Sequence, residues 1–312
     1  MARKRPRAAR DLSPSELHSR AELQCLGALL NVLRRGALTQ DGIREAVRRG
    51  NGALFTDACF DDPRRPGAIA FEYDEEHWHR LRVDKDVDKS AEQLAHPGVT
   101  CLLRVRRGGR DWAGRSIAAR VNHAAYCEAL VESTRPLDQA RAACEALGVA
   151  CDAAAALRGA ELGTAVHAAF DEDRKSNLAR IEQACGQRDA LRVARVSGVH
   201  MRLWDAPWVE CLLQFGELLG GAEYLRTALS GSVAARLDDG GFREDAARLV
   251  AALGREDAAR LLGRNCATVR LARVVAAAEA APRCERHALF QRLYSAASRG
   301  AAALEAQLPA TE

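Results

Sequence analysis

The stretch from residue 68 to residue 79, which reads AIAFEYDEEHWH, limits how this chain folds more than any other. Its apolar start predicts a buried strand, and its polar end predicts the rim where that strand leaves the core. Glu72 and Asp74 are two residues apart, so on a strand their side chains point to the same side. Two such carboxylates repel each other unless a proton or a cation lies between them. Because Mg²⁺ prefers hard oxygen ligands, the stretch predicts a metal-dependent phosphodiesterase site.

Length and composition indicate an intracellular protein without a membrane span. A chain of 312 residues suggests two domains or one large one, and 48% hydrophobic residues suffice for a packed core. No apolar run approaches the roughly 18 residues that cross a bilayer. Ten cysteines are present, but none forms a CxxC pair. This spacing argues against a zinc ribbon or a thioredoxin-like centre and favours a reducing compartment.

The first ten residues carry five basic side chains and no acid. This run has no apolar core, so it is not a secretory signal. A nuclear address, part of an organelle transit segment, a nucleic-acid-binding arm and a solubilising tail all fit such a run. We treat residues 1–13 as a basic flexible tail and leave these alternatives open.

Charge is unevenly distributed between residues 57 and 120. Seven acidic residues lie between 57 and 76, and ten basic residues lie between 80 and 120. A metal-dependent enzyme that acts on a polyanion needs this combination, because its acids hold the ion and its bases hold the phosphates. The alternative is ordinary solvated charge in an arginine-rich chain.

The periodicity of apolar residues predicts an α/β (α+β) fold followed by a purely helical region. Predicted helices cover 14–35, 39–49, 84–95 and 113–132, and predicted strands cover 53–60, 68–74 and 99–106. After Pro136 the strand signals end, and Ala, Leu, Glu and Arg dominate. We therefore predict one mixed domain over 14–133 and an all-helical domain over 137–312.

Four elements of the first part resemble a known nuclease group. Residues 72–79 resemble the EYDGxYWH signature of PD-(D/E)XK nucleases related to the very-short-patch repair endonuclease. Residues 86–94 resemble that group's D-x-x-K-x-x-x-L helix, and VTCLLRVR at 99–106 is similar to its closing strand. Asp57 stands where the group has the metal-binding aspartate of its first core strand. The resemblance covers about residues 15–110 and implies a restriction-endonuclease-like fold, a small mixed sheet flanked by helices.

The chain departs from the pattern of this group at three positions. Glu75 replaces a small residue, His77 replaces an aromatic residue, and Asp74 replaces the usual Lys of the E-x-K motif. In this fold the Lys can come from the neighbouring helix, and Lys89 is the candidate. Both an active and an inactive site are compatible with these changes.

The resemblance, together with the chemistry of the side chains, implies a role for each candidate residue. Asp57 and Glu72 would ligate Mg²⁺ or Mn²⁺, and the ion would polarise the scissile phosphate and lower the pKa of a bound water. His79, or alternatively His77, would act as the general base, because imidazole titrates near neutral pH. Asp74 would orient that histidine or add a metal ligand. Lys89 would stabilise the charge that develops on the phosphate.

Basic residues beside this site are candidates for contacts with nucleic acid. They are Arg80, Arg82, Arg104, Arg106, Arg107 and Arg110.

The sequence thus predicts a Mg²⁺-dependent nuclease that hydrolyses phosphodiester bonds, with DNA favoured over RNA as the substrate. One alternative is a nuclease-fold protein that has lost its chemistry and only binds DNA or RNA. A second is a protein-interaction module in which the helical C-terminal domain holds a protein partner.

Overall fold

A computed structural model gives the architecture of most of the chain. It describes residues 19–50, 56–62, 66–79, 82–108, 116–196, 199–264 and 271–308, without the side chains of His77, Trp78 and Met201. The predicted basic tail over 1–13 lies outside these residues. The chain divides after Asp171 into two compact units, each presented by itself below. The predicted domain boundary at 133–137 falls inside the first unit.

The first unit contains a four-stranded sheet, and its helices come before, between and after the strands along the chain. Its elements are α1 (Arg20–Leu33), α2 (Gln40–Arg49), β1 (Ala58–Asp61), β2 (Ala68–Glu75), α3 (Glu76–His79), α4 (Val83–Leu94), β3 (Val99–Arg107), α5 (Ala118–Val121), β4 (Tyr126–Val131), α6 (Pro136–Ala146) and the start of α7 (Ala153–Cys185).

The sheet is mixed, as the sequence predicts. Its strands lie in the order β1-β2-β3-β4, with β1 antiparallel to β2 and the other two pairs parallel. The connection from β2 to β3 contains α4, since parallel neighbours need a long crossover. The core strands are fully buried in their centres, with Phe71 and Leu103 each 0% exposed. This arrangement puts α4 beside the ends of β2 and β3 that carry polar side chains.

The first helix begins later than predicted. Ser19 has an extended backbone (φ −64°, ψ 149°), and its Oγ accepts a hydrogen bond from the backbone N–H of Glu22 at 3.0 Å. A serine in this conformation caps a helix rather than continuing one. The prediction of one continuous helix over 14–35 is therefore wrong, because a helix begins at Arg20; residues 14–18 lie outside the described part of the chain. Thr39 caps α2 in the same way, since its Oγ1 accepts from Gly42 N–H at 3.2 Å.

The predicted helix over 113–132 is also wrong. Its described part contains the short α5, a left-handed residue at Asn122 (φ 45°), and then β4. The alanine-rich sequence has high helix propensity, but parallel pairing with β3 overrides it. Strand β4 also places the Glu128 carboxylate 3.3 Å from Nη1 of the buried Arg106, where it balances the arginine charge.

The second unit is helical throughout its described residues. After the end of α7 its α-helices are α8 (Gln187–Val193), α9 (Ala206–Leu219), α10 (Ala222–Ala228), α11 (Gly231–Ala234), α12 (Gly240–Leu253), α13 (Arg255–Leu262), α14 (Leu271–Ala280), α15 (Arg286–Arg299) and α16 (Ala301–Glu305), with short 3₁₀ turns at His200–Arg202 and Arg283–Glu285. This agrees with the predicted helical C-terminal region. In the part of the chain that the structure describes, no helix combines the length and the apolar character that a membrane crossing requires.

Candidate functional site

Asp57 lies directly before β1, and Glu72 lies on the neighbouring strand β2. Ala58, the residue after Asp57, pairs with Phe71, the residue before Glu72. The Asp57 Oδ2 accepts a hydrogen bond from the backbone N–H of Tyr73 at 2.7 Å, which fixes the carboxylate beside β2. The two predicted metal ligands are thus brought together, while their role remains a prediction.

A third carboxylate, which the sequence analysis missed, adds to this negative charge. Burial, and then the charges of Glu22 and Glu72, raise the pKa of Asp57 well above its usual range, against the opposing effects of Lys89 and the Tyr73 N–H. Glu22 lies in the first turn of α1 and is only 7% exposed. The pattern Ser19-x-x-Glu22 is a capping-box signature that could have drawn attention to it. We name Asp57, Glu72 and Glu22 the carboxylate cluster.

Helix α4 supplies two side chains that hold Glu72. The Lys89 Nζ lies 2.8 Å from a Glu72 carboxylate oxygen, and the Gln93 Nε2 donates to Glu72 Oε1 at 2.6 Å. Burial by itself would lower the pKa of Lys89, but Glu72 and Asp57 outweigh it, so the pKa is raised and the ammonium stays charged. The structure therefore brings Lys89 to the carboxylate cluster, at the place predicted for the missing lysine of the E-x-K motif.

Asp74 belongs to a second group of charges, farther along β2. Arg104 on β3 donates to both of its carboxylate oxygens, from Nε at 3.0 Å and from Nη2 at 2.8 Å. Burial alone would raise the pKa of Asp74, but the Arg104 guanidinium holds it below its usual value. Arg104 also donates from Nη1 to the Ser90 Oγ at 2.8 Å and to the Asp86 backbone carbonyl at 3.1 Å. The Arg104 Nη2 lies 3.8 Å from Glu72, so the guanidinium links the two groups of charges.

His79 lies in this second group, between two acids. Its Nδ1 is 3.1 Å from both oxygens of Asp86 and 3.4 Å from Asp74 Oδ1. We name Asp74, His79, Asp86 and Arg104 the arginine hub. The contact of Asp86 with the imidazole was not predicted from the sequence. Asp74 also contacts the histidine, and its orienting role stays a prediction.

The arginine hub contains ligand atoms in a metal-compatible arrangement. One atom each from Asp74, His79 and Asp86 lie within 4.8 Å of one another, a grouping that is unique among the described residues. However, both oxygens of Asp74 already accept hydrogen bonds from Arg104. A cation at this position would have to share Asp74 with the buried Arg104 guanidinium. The role of Asp74 as an additional metal ligand stays a prediction.

Two of the predicted nucleic-acid contacts are wrong. The side chains of Arg104 and Arg106 are each 0% exposed, and both are paired with acids. A buried, ion-paired guanidinium is not accessible to a phosphate backbone. Arg107 is a partly exposed side chain that pairs with Glu75 at 3.1 Å, and Arg82 is exposed next to α4. Their predicted contacts with nucleic acid remain open.

Three other candidates lie outside the described atoms. Arg80 and Arg110 are not among the described residues, and the side chain of His77 is not described.

Comparisons of the chain with models of known protein families, with curated proteins and with solved structures found no match. The motifs and the geometry of the carboxylate cluster are therefore the basis for any functional conclusion.

Proposed function

We propose that the first unit is a Mg²⁺-dependent nuclease that hydrolyses phosphodiester bonds, with DNA favoured over RNA as the substrate. The observation that carries this proposal is the pairing of Ala58 with Phe71, which brings the adjacent acids Asp57 and Glu72 together, with the Lys89 ammonium 2.8 Å from the Glu72 carboxylate. Two acids at neighbouring strands with a lysine beside them are the components that the nuclease resemblance implies.

Asp57 and Glu72 offer oxygen donors to a divalent cation, although the described group of three closely spaced ligand atoms is the one in the arginine hub. Burial first, and then the charges of Glu22 and Glu72, raise the pKa of Asp57, and a bound cation would offset these effects. Oxygen donors of this kind suit Mg²⁺ or Mn²⁺, and Asp57 and Glu72 would hold the ion. When bound, such an ion polarises the scissile phosphate and activates a water molecule.

The side chains around the cluster can provide the remaining chemistry. Lys89 holds a positive charge where the phosphate would gain negative charge, which stabilises a transition state of this kind. With its proton on Nδ1 facing Asp86, His79 presents Nε2 as the basic nitrogen. The imidazole would accept a proton from the attacking water, and Asp86 would keep it in the required orientation.

The test is cleavage of a labelled DNA duplex and of a supercoiled plasmid in the presence of Mg²⁺ or Mn²⁺. Asp57→Asn keeps an acceptor for the Tyr73 N–H but removes the charge, and it should lower the rate at least about 100-fold. Asp61→Asn is the matched control, because Asp61 lies four residues farther along β1 and pairs with Arg49 at the surface, at 2.8 Å. Metal-dependent cleavage that survives Asp57→Asn would overturn the proposal.

One observation favours the inactive alternative, a nuclease-fold protein that only binds nucleic acid. The strand position of the E-x-K lysine is taken by Asp74, which is tied to a buried arginine. The two functions separate in one experiment with the unsubstituted protein. DNA binding without metal, with no cleavage at any concentration of Mg²⁺ or Mn²⁺, would support the binding protein.

A further inference from the structure

Two arginines of the helical second unit lie against one aromatic ring. The guanidinium carbon of Arg264 is 4.6 Å from the centroid of the Tyr294 ring, and that of Arg260 is 4.9 Å from it. Arg264 also donates a hydrogen bond to the Tyr294 hydroxyl, and this bond lowers the pKa of the phenol. Phe290, which is 0% exposed, lies beneath, with its ring centroid 5.6 Å from that of Tyr294. Arg260 lies on α13, Arg264 lies two residues after its end, and Phe290 and Tyr294 lie on α15.

The charges of Arg260 and Arg264 are not balanced by acids in the described part of the chain. Seven other arginines of this unit do pair with acids. The seven, each with a carboxylate oxygen within ion-pair distance, are Arg180, Arg192, Arg202, Arg226, Arg236, Arg248 and Arg273. The contacts of Arg260 and Arg264 are instead with aromatic rings. Two positive charges four residues apart therefore remain available to an anion.

We propose that Arg260, Arg264 and Tyr294 form a binding site for the phosphate groups of a nucleic-acid backbone. A guanidinium has five N–H donors, so stacking and one hydrogen bond leave others for phosphate oxygens. The Tyr294 hydroxyl accepts from Arg264, and its own proton can be donated to the same anion. This inference goes beyond catalysis, and it would stand if the first unit proved inactive.

The exposure of the site favours a polymer over a small phosphate compound. Arg260, Arg264 and Tyr294 are all half-buried at the surface. Small ligands are held in concave sites that cover most of their surface, whereas an extended polyanion gains affinity from many open contacts. The helical unit would therefore add phosphate contacts to the binding of nucleic acid by this protein.

The test measures the affinity of the full-length protein for a fluorescent DNA duplex without metal. The protein carries Asp57→Asn, so cleavage plays no part and failure of the proposed nuclease activity does not affect the result. Arg260→Gln with Arg264→Gln should weaken binding about tenfold, with a plot of log K against log salt that is less steep by about 1.8, the loss of about two phosphate contacts. Arg260→Lys with Arg264→Lys keeps both charges and should retain most of the salt dependence.

The matched control is Arg236→Gln with Arg248→Gln, which removes the same net charge from arginines that are paired with acids. It should change the affinity less than about twofold if paired arginines make no phosphate contacts. Equal losses in both double variants, or no loss in either, would overturn the proposal. Competition by inorganic phosphate at constant ionic strength would also overturn it, if that competition required Arg260 and Arg264. The site would then bind a free anion rather than a polymer.

Discussion

Arg104 and Asp74 form a bidentate ion pair between β3 and β2, and neither side chain is exposed to solvent. Removal of one partner leaves the other charge buried and unpaired, which costs about 3–5 kcal/mol. Arg104→Met should therefore lower the free energy of unfolding by about this amount, as measured by urea denaturation. Arg104→Met combined with Asp74→Leu should recover part of the loss, because no buried charge is then left alone. If the double variant were no more stable than Arg104→Met, the ion pair would not be the cause.

The same pair predicts how stability depends on acid. Because the folded state lowers the pKa of Asp74, this carboxylate stabilises the fold above its ordinary pKa of about 3.9, and the contribution is lost as the pH falls through the lowered value. Urea unfolding between neutral pH and pH about 3 should show a steeper loss of stability in the unsubstituted protein than in the Arg104→Met, Asp74→Leu variant. Parallel curves would contradict this assignment.

Asp57 should behave in the opposite way. Its pKa is raised, so its contribution favours the folded state below its ordinary pKa and is lost as the pH rises through the raised value. At neutral pH Asp57→Asn should therefore raise the Tm of the metal-free protein by a few degrees, and its amide oxygen can still accept from the Tyr73 N–H. Thermal unfolding with and without Mn²⁺ measures both effects. The variant should gain no Tm from Mn²⁺, whereas the unsubstituted protein should gain several degrees.

Metal binding to the carboxylate cluster should release protons. An ion at Asp57 replaces the proton that the raised pKa retains, so the affinity should increase with pH. Calorimetry of Mn²⁺ binding in buffers of different ionisation enthalpy counts the protons that are released. Glu22→Gln should reduce this number, because it removes one cause of the raised Asp57 pKa. Asp86→Asn should leave proton release unchanged, since Asp86 contacts the arginine hub rather than Asp57.

The contact between Asp86 and His79 predicts a separate effect on rate. Asn at position 86 keeps the size of the side chain but no longer holds the Nδ1 proton of the imidazole with a charge. Asp86→Asn should lower kcat for DNA cleavage about tenfold or more with little change in KM, because the base is disoriented while substrate contacts remain. The dependence of kcat on pH should flatten at the same time. A change in KM alone would point to a role in substrate binding.

The sequence predicted those parts of the site that lie at correctly predicted strands. Asp57, Glu72 and Lys89 were identified because their spacing and order resemble those of a known nuclease group, and the register of β1 and β2 brings the two acids together. The burial of Arg104 and Arg106 was missed because residues 113–132 were predicted to form a helix, so β4 was not predicted. Pairing with β4 makes β3 an interior strand and turns its arginines into buried counter-charges.

Glu22 was missed because its importance comes from packing rather than from a local motif. Its helix was expected to begin at residue 14, which placed Glu22 in the middle of a helix rather than at its first turn. The cap at Ser19 and the effect of the Glu22 charge on the pKa of Asp57 reveal Glu22 as its neighbour.

Helix α4 holds both groups of charges from one face. Lys89 and Gln93 contact Glu72, while Asp86 and Ser90 contact His79 and Arg104. Each residue of an α-helix advances it by about 100°. An insertion between Asp86 and Lys89 would therefore rotate one set of side chains away from its partners while the other set stayed in place. A substitution can remove one set of contacts and leave the other intact, whereas a change in helix length between them disrupts at least one set completely. In any descendant of this chain that keeps both sets, the spacing of three positions from Asp86 to Lys89 should be kept as well.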